Sequence, residues 1–463
     1  MTTLHLRLTY AVLLGAALAF ALLQAMVMPV LPTIQDHLGT DSRQVAWVVS
    51  SYLLASAVAT PLVGRLGDVL GRKRVLVAAL CTLAVGSLAA AYAPNLGLMV
   101  AARVLQGVGA GVVPLSIGIV RDEFPAHRIP AAVGTIAALT GIGAGVGLVL
   151  AGPLIDLLGY RSLFLVPMGL TAATAVLAAL VLRESPRQAG TVSWLPAPFL
   201  SLAVTALILA TIQGGAWGWA DPRMLGLYAA TVGFGICWVV AERHAERPLI
   251  DLDMLKRPAV RSVNLVTFLL GFVMFGVYAY VPQFLQAPRS TGYGFGASVT
   301  MSGLVMAPMA ACVFVGGVTA ARASARFGPR LVILTASAVM ALSLVVLLAA
   351  RTQLWQIGST LAVYGVALGV NLAAVSMAVV LAVSAKLTAV ASAVNVNMRT
   401  IGGAIGAAMI ATVITAGVEP GGPPAESGYL IAFATLAVIV AVASVLALTI
   451  PGNGDREPLA AVA

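Results

Sequence analysis

The chain has 463 residues, of which 60% are hydrophobic and 9% charged, with a mean hydropathy of +1.02. That excludes a soluble globular domain and sets the fold class as an all-α polytopic membrane protein. The formal net charge of +10 has a cause other than nucleic acid: lysine and arginine beside spanning helices follow the positive-inside rule, and no nucleic-acid partner is expected.

A span needs about 20 mostly apolar residues, and fourteen such runs follow one another. The first six cover 10–32, 44–64, 75–93, 97–119, 130–155 and 161–182. The first is long and is followed by others, so it reads as a span and not as a signal peptide. Two runs, 196–215 and 224–241, come next. The last six cover 259–285, 298–320, 331–350, 356–380, 388–416 and 428–450. Lipid offers backbone groups no water, so each span must be helical. With the N-terminus in the cytoplasm, nineteen arginines and lysines fall inside and five outside, while Arg103 and Arg399 stay within helices. All six tryptophans fall near helix ends, as an aromatic belt requires. Both termini are then cytoplasmic, in a multi-pass protein of the cell inner membrane.

Cys81, Cys237 and Cys312 lie inside apolar runs and show no disulfide or metal-ligand spacing. Nor is there a nucleophile–base pair or a phosphate loop. No enzyme activity, metal or cofactor is expected.

GRLGDVLGRKR (64–74) concentrates charge and glycine between the second and third runs. ARASARFGPR (321–330) echoes it two runs into the last six: aligning Gly328 with Gly71 pairs Arg322 with Arg65 and Arg330 with Lys73. The chain therefore divides into a six-helix bundle at 1–183, a two-helix insertion and linker at 184–258, a second bundle at 259–450 and a tail at 451–463. Two six-helix repeats about an axis along the membrane normal place a binding site between them, near the midplane.

GRLGDVLGRKR resembles the loop signature of the major facilitator superfamily. RVLQGVGAG (103–111) resembles the fourth-helix motif of its proton-coupled members. LILATIQGGAWGW (207–219), ERHAERPLIDLDMLKRP (242–258) and NVNMRTIGGAIG (395–406) are similar to segments of the fourteen-helix drug:proton antiporters, the EmrB/QacA type. The resemblance implies two six-helix bundles plus two inserted helices, efflux of drugs or antibiotics, and a proton gradient as the driving force.

In the loop, Gly64, Arg65, Asp68, Gly71 and Arg72 form a candidate latch. The glycines allow tight turning, and Asp68 sits at a helix end where it can bridge to basic side chains in one state and release them in the other. For Arg72, Lys73 and Arg74 the alternative is topology alone. Arg103 lies about 9 Å into the fourth helix at the helical rise, a costly depth for charge. The resemblance ties it to proton transfer; the alternative is a snorkelling side chain. Arg399 is the other cation within a helix, either functional or structurally paired. Glycines 141, 143, 145, 147 and 152 permit close packing of the fifth helix on a neighbour.

The family segment aligned with ALLQAMVMPVLPTI (21–34) carries an aspartate and an asparagine; here those positions are Leu23, beside Gln24, and Met28. All sixteen acids fall in loops or at helix ends, and all four histidines lie outside helix interiors. A cationic substrate would find no buried counter-charge, so neutral or anionic amphiphiles are favoured. Proton coupling then uses a carboxylate nearer a rim, with Asp156 and Asp36 as candidates, or does not exist. Both acids also read as ordinary interfacial residues. Candidate cavity residues are Gln24, Met28, Tyr52 and Gln106 in the first bundle. In the second they are Tyr278, Gln283, Asn371, Asn395, Asn397 and Arg399. Apolar walls with few polar groups suit a drug-sized amphiphile.

The sequence thus reads as a monomeric exporter of small amphipathic compounds working by alternating access. Its rivals are a proton-independent facilitator, an exporter of a lipid or natural product, and a non-transporting membrane receptor or assembly partner.

Overall fold

The computed structural model describes residues 3–125, 128–185, 195–245, 252–383, 388–416 and 424–451. Every regular element among them is helical. The chain opens with α1 (Thr3–Met26), a 3-10 turn at Met28–Val30 and α2 (Leu31–Leu38), which together make one apolar rod. The expected first span is broken here because Pro29 and Pro32 carry no N–H for the helical ladder. Next come α3 (Ser42–Leu70) and α4 (Arg72–Ala91). The fourth span is likewise divided into α5 (Leu96–Val108) and α6 (Val112–Glu123) by a 3-10 turn at Gly109–Gly111. The first group closes with α7 (Ile129–Leu158) and α8 (Ser162–Val181).

The insertion comprises α9 (Pro196–Trp217), α10 (Pro222–His244) and the five-residue α11 (Leu252–Lys256). The last group is α12 (Pro258–Gln286), α13 (Val299–Phe327), α14 (Pro329–Ala349), α15 (Leu354–Leu381), α16 (Thr388–Ile414) and α17 (Glu426–Leu446). Among the described residues twelve helices are long and apolar enough to cross a membrane, and α7 and α9 add the shorter apolar segments Gly145–Leu158 and Pro196–Thr211. The protein is a multi-pass integral membrane protein.

The two groups share one packing scheme. In the first, α1 packs on α7, α3 on α5 and α4 on α8; in the last, α12 packs on α16, α13 on α15 and α14 on α17. First span meets fifth, second meets fourth, third meets sixth, twice over. The turns aligned in the sequence also match. Gly71 has φ 104° and ψ 130°, Gly328 has φ 78° and ψ 151°, and each starts the helix that follows. A side chain is strained in that left-handed region, which is why both echoes end on glycine.

Within the last group the helices touch through backbone. A Cβ on Gly365 or Gly369 would fall on the carbonyls of Met309 and Val313 in α13, and one on Gly402 or Gly406 on those of Phe268 and Phe272 in α12. Small residues let membrane helices approach closely enough for dispersion to hold them. Between groups, α7 packs on α13 and α3 on α16. From the insertion, α9 lies against both α3 and α16, and Thr412 Oγ1 donates to Thr211 O at 2.9 Å.

Candidate functional site

Arg103 is 0% exposed. Asn95 caps α5 by accepting from Leu98 N, and the helix then carries Arg103 inward on the face that meets α3. Arg103 Nε donates to Val48 O at 2.9 Å and Nη1 to Gln106 Oε1 at 2.6 Å. Gln106 Nε2 donates to Ser87 Oγ at 3.0 Å, and Ser87 Oγ in turn donates to Leu83 O at 2.8 Å. The guanidinium carbon stands 4.3 Å from the Tyr52 ring centroid. A buried cation is thus held by a carbonyl, an amide and a π face, with no carboxylate in the chain of bonds. Arg103 Nη2 is buried with no hydrogen-bond partner among the described residues. The structure brings three candidate residues, Tyr52, Arg103 and Gln106, into one network.

The remaining candidates are dispersed. Gln24 is partly exposed on α1, and Met28 is buried in the 3-10 turn. Gln283 is buried near the end of α12. Asn371 bonds Ser337 beside Met340, a packing position between α14 and α15. Asn395 Nδ2 donates to Asn264 Oδ1 at 2.9 Å and Thr267 Oγ1 at 2.7 Å, joining α16 to α12. Asn397 is 2% exposed, and neither of its amide atoms has a partner among the described residues. Arg399 and Tyr278 are both partly exposed, and each lies within electrostatic reach of the other.

The two groups also meet through α7 and α13, a contact that the sequence indicated only through the fifth-helix glycines. A Cβ on Gly145 would stand 2.6 Å from Ala310 Cβ, and one on Gly152 would fall inside the Thr300 backbone. One turn on, Thr300 Oγ1 donates to Asp156 Oδ2 at 2.5 Å. Gln286 Nε2 donates to Pro29 O at 2.6 Å. These contacts run from the middle of the bundle to the end that carries the α7–α8 turn. Asp36 is exposed at the end of α2.

At the opposite end, Arg72 Nη1 donates to Asp122 Oδ1 at 2.7 Å and Gly118 O at 2.8 Å, tying α4 to α6. Arg65 Nε and Nη2 are buried without partners among the described residues, and Gly64 lies beside Arg65 in the last turns of α3. The side chain of Asp68 lies outside the described residues. Gly71 abuts the Glu184 carboxylate, which also accepts Arg74 Nε at 3.2 Å.

A family model described as Major Facilitator Superfamily matches residues 13–407. The chain belongs to the major facilitator superfamily. This is a family of transporters, not of enzymes. Similar chains include the methylenomycin A resistance protein of Bacillus subtilis, 28% identical over 79% of each chain. The tetracenomycin C resistance and export protein of Streptomyces glaucescens is 30% identical, over 64% of this chain and 55% of its own. An uncharacterized MFS-type transporter of Mycobacterium tuberculosis is 32% identical, over 65% of this chain and 43% of its own. The chain thus spans about half the length of the last two relatives. Among solved structures, the nucleoside transporter NupG superposes with a TM-score of 0.67 at 17% identity, over 95% of this chain and 99% of that one. That identity level establishes the major facilitator fold alone.

Several partners in this major facilitator structure were missed from sequence: Ser87, Glu184, Asn264, Thr267, Gln286 and Thr300. Ser87, Asn264 and Thr267 are polar residues within apolar runs, a signal that asking for each buried donor's acceptor would have used. Glu184 follows the last span of its group and gave no signal. Its contact carries a prediction. Gly71→Ala puts a Cβ into a left-handed backbone and against that carboxylate, so stability falls by about 1–3 kcal/mol. Thermal unfolding in detergent checks it, with Gly64→Ala as control, since a Cβ there meets nothing within 4 Å.

Proposed function

We propose that this chain is a secondary active transporter that exports small amphipathic compounds across the cell inner membrane by alternating access. The observation that carries the reading is the meeting of two repeated helix groups through Gly145–Ala310, Gly152–Thr300 and Gln286–Pro29, with a buried cation network inside the first group. Two such groups rocking about a central site give alternating access. The relatives' names speak of resistance and export, which supports efflux of drugs or antibiotics.

On this reading α7 and α9 complete fourteen spans, of the kind found in the fourteen-helix drug:proton antiporters. The bundles are 1–183 and 259–450, with the insertion at 184–258. Basic residues crowd the α3–α4 and α13–α14 turns, which assigns that end, with both termini, to the cytoplasm. On this reading the α7–α13 contacts lie on the outer side.

For coupling, Arg103 is the interior cation and Asp156 the acid at the α7–α13 contact. The Asp156–Thr300 bond crosses between the groups, so protonation of Asp156 would be linked to opening. A second reading, a facilitator without proton coupling, is favoured by the helix-one positions Leu23 and Met28, where no acid stands.

The two readings separate in proteoliposomes with an imposed pH gradient. Under antiport, wild type moves substrate uphill, Asp156→Asn only equilibrates it, and downhill flux survives. Under facilitation, the gradient changes neither protein's end point. Thr300→Val removes the donor and keeps the acid. It is expected to weaken closure about two- to ten-fold, as loss of one exposed charge-assisted hydrogen bond does, while leaving gradient dependence intact.

A further inference from the structure

The turn before the third span is built alike in the two groups, but its charge is balanced differently. In the first group α4 packs on α8, and Glu184, which follows α8, lies against Gly71 and pairs with Arg74 at 3.2 Å. Arg72 of the same turn pairs with Asp122 at 2.7 Å. In the last group α14 packs on α17, and Ser444 Oγ donates to Leu334 O at 2.8 Å. The segment that follows α17, residues 447–451, carries no acid. Among the described residues neither Arg326 nor Arg330, the cations beside Gly328, has an ion pair.

At the place that corresponds to Glu184, between the turn and the segment after the sixth span, the last group has a cavity of about 320 Å³. Arg330 lines it, with Phe327, Leu331 and Leu334 from α13 and α14 and Leu448 from the segment after α17. The Arg326 guanidinium carbon stands 5.2 Å from the Phe327 ring centroid, which sets a second cation beside the same wall. Phe327, Leu331 and Leu448 are exposed, so the cavity opens at the surface. The spans Pro329–Ala349 and Glu426–Thr449 both end here. Span ends lie at the headgroup level of a bilayer.

A basic pocket between spanning helices at that level fits an acidic lipid headgroup. A phosphodiester accepts two parallel bonds from the Arg330 guanidinium, and an acyl chain runs along the apolar walls. A zwitterionic lipid would bring an ammonium of its own to the two arginines. A soluble anion would bring nothing for Leu331, Leu334 and Leu448 to cover.

We infer that this cavity binds one anionic phospholipid, whose phosphate takes at Arg330 and Arg326 the part that Glu184 plays in the first group. The inference goes beyond the transporter reading and does not depend on it.

The test titrates delipidated full-length protein in detergent with dioleoyl phosphatidylglycerol or dioleoyl phosphatidylcholine and reads retained lipid by native mass spectrometry. One phosphatidylglycerol is expected to bind at least about ten-fold more tightly than phosphatidylcholine. Arg330→Gln is expected to lose about ten-fold of that affinity and Arg326→Gln several-fold. Arg183→Gln, an exposed arginine at the matching end of the first group, stays within about two-fold. Leu448→Trp fills the cavity, keeps both arginines and is expected to weaken binding several-fold, which a merely basic surface would not show. Equal binding of the two lipids overturns the inference, and so does an Arg330→Gln protein that behaves like Arg183→Gln. Displacement of the lipid by excess inorganic phosphate overturns it in favour of a soluble anion. Selective binding that emerges only in Asp455→Asn/Glu457→Gln overturns it in favour of the chain's own tail. Selective, Arg330-dependent binding by a protein that moves no substrate in proteoliposomes leaves the lipid site standing and counts against the transporter reading alone.

Discussion

Arg103→Ala is expected to lower protein-dependent flux by about a hundred-fold or more, as loss of a functional intramembrane charge does, with little loss of thermal stability. The two halves of that expectation come from opposing terms. Deleting the side chain leaves Gln106 Oε1 without this donor, at about 1–3 kcal/mol when no water reaches it, and returns Val48 O to its helical bond alone. It also relieves a fully buried guanidinium that has no carboxylate, a penalty of several kcal/mol in its own right. These nearly cancel, so a purely structural arginine would be dispensable. Arg103→Lys discriminates further. A lysine keeps the charge but loses the planar fork that reaches Val48, Gln106 and the Tyr52 ring at once. Flux about ten-fold below wild type is expected for it, as for loss of one charge-assisted bond. If Arg103→Ala unfolds in parallel with its loss of flux, the network is scaffolding and not machinery. Flux in proteoliposomes beside thermal unfolding of the same preparations decides this.

The helices were legible because lipid forces one answer on an apolar run of span length, and among the described residues twelve of the fourteen runs form helices long and apolar enough to cross. The breaks at Pro29 and at Gly109–Gly111 were hidden, since hydropathy does not register a 3-10 turn. The repeat was readable from Gly71 and Gly328 because a left-handed turn leaves little choice of residue. Arg103 and Gln106 were found because charge and amide are rare in such runs and sit one turn apart. Asn371 shows the limit of that signal: rarity marks a polar residue but does not say which face of the helix it occupies, and here it accepts from Ser337 inside one group. The α7–α13 contact was visible only as glycines, whose opposite surface, Thr300 and Ala310, lies about 150 residues away in sequence.

That pairing sets up the other large effect. Gly152→Val is expected to drive the protein out of the described state without unfolding it. A Cβ at 152 would lie inside the Thr300 backbone, and no rotamer of any neighbour can clear backbone. Forced overpacking costs about 1–3 kcal/mol or more, and here one motion relieves it, separation of α7 from α13. Two states of similar energy would shift by about ten-fold in population for each 1.4 kcal/mol, so the described form becomes a minor one. Gly369→Val is the necessary contrast. Its Cβ would strike the Val313 carbonyl, which belongs to α13 of the same helix group. No rocking motion separates α13 from α15, so that strain falls on the fold itself and thermal stability drops. Distances between spin labels on the α7–α8 and α12–α13 loops report the first effect, and thermal unfolding reports the second. If Gly152→Val leaves the label distance unchanged and instead unfolds like Gly369→Val, the α7–α13 contact is a permanent joint. Two groups fixed by a permanent joint cannot alternate about a central site.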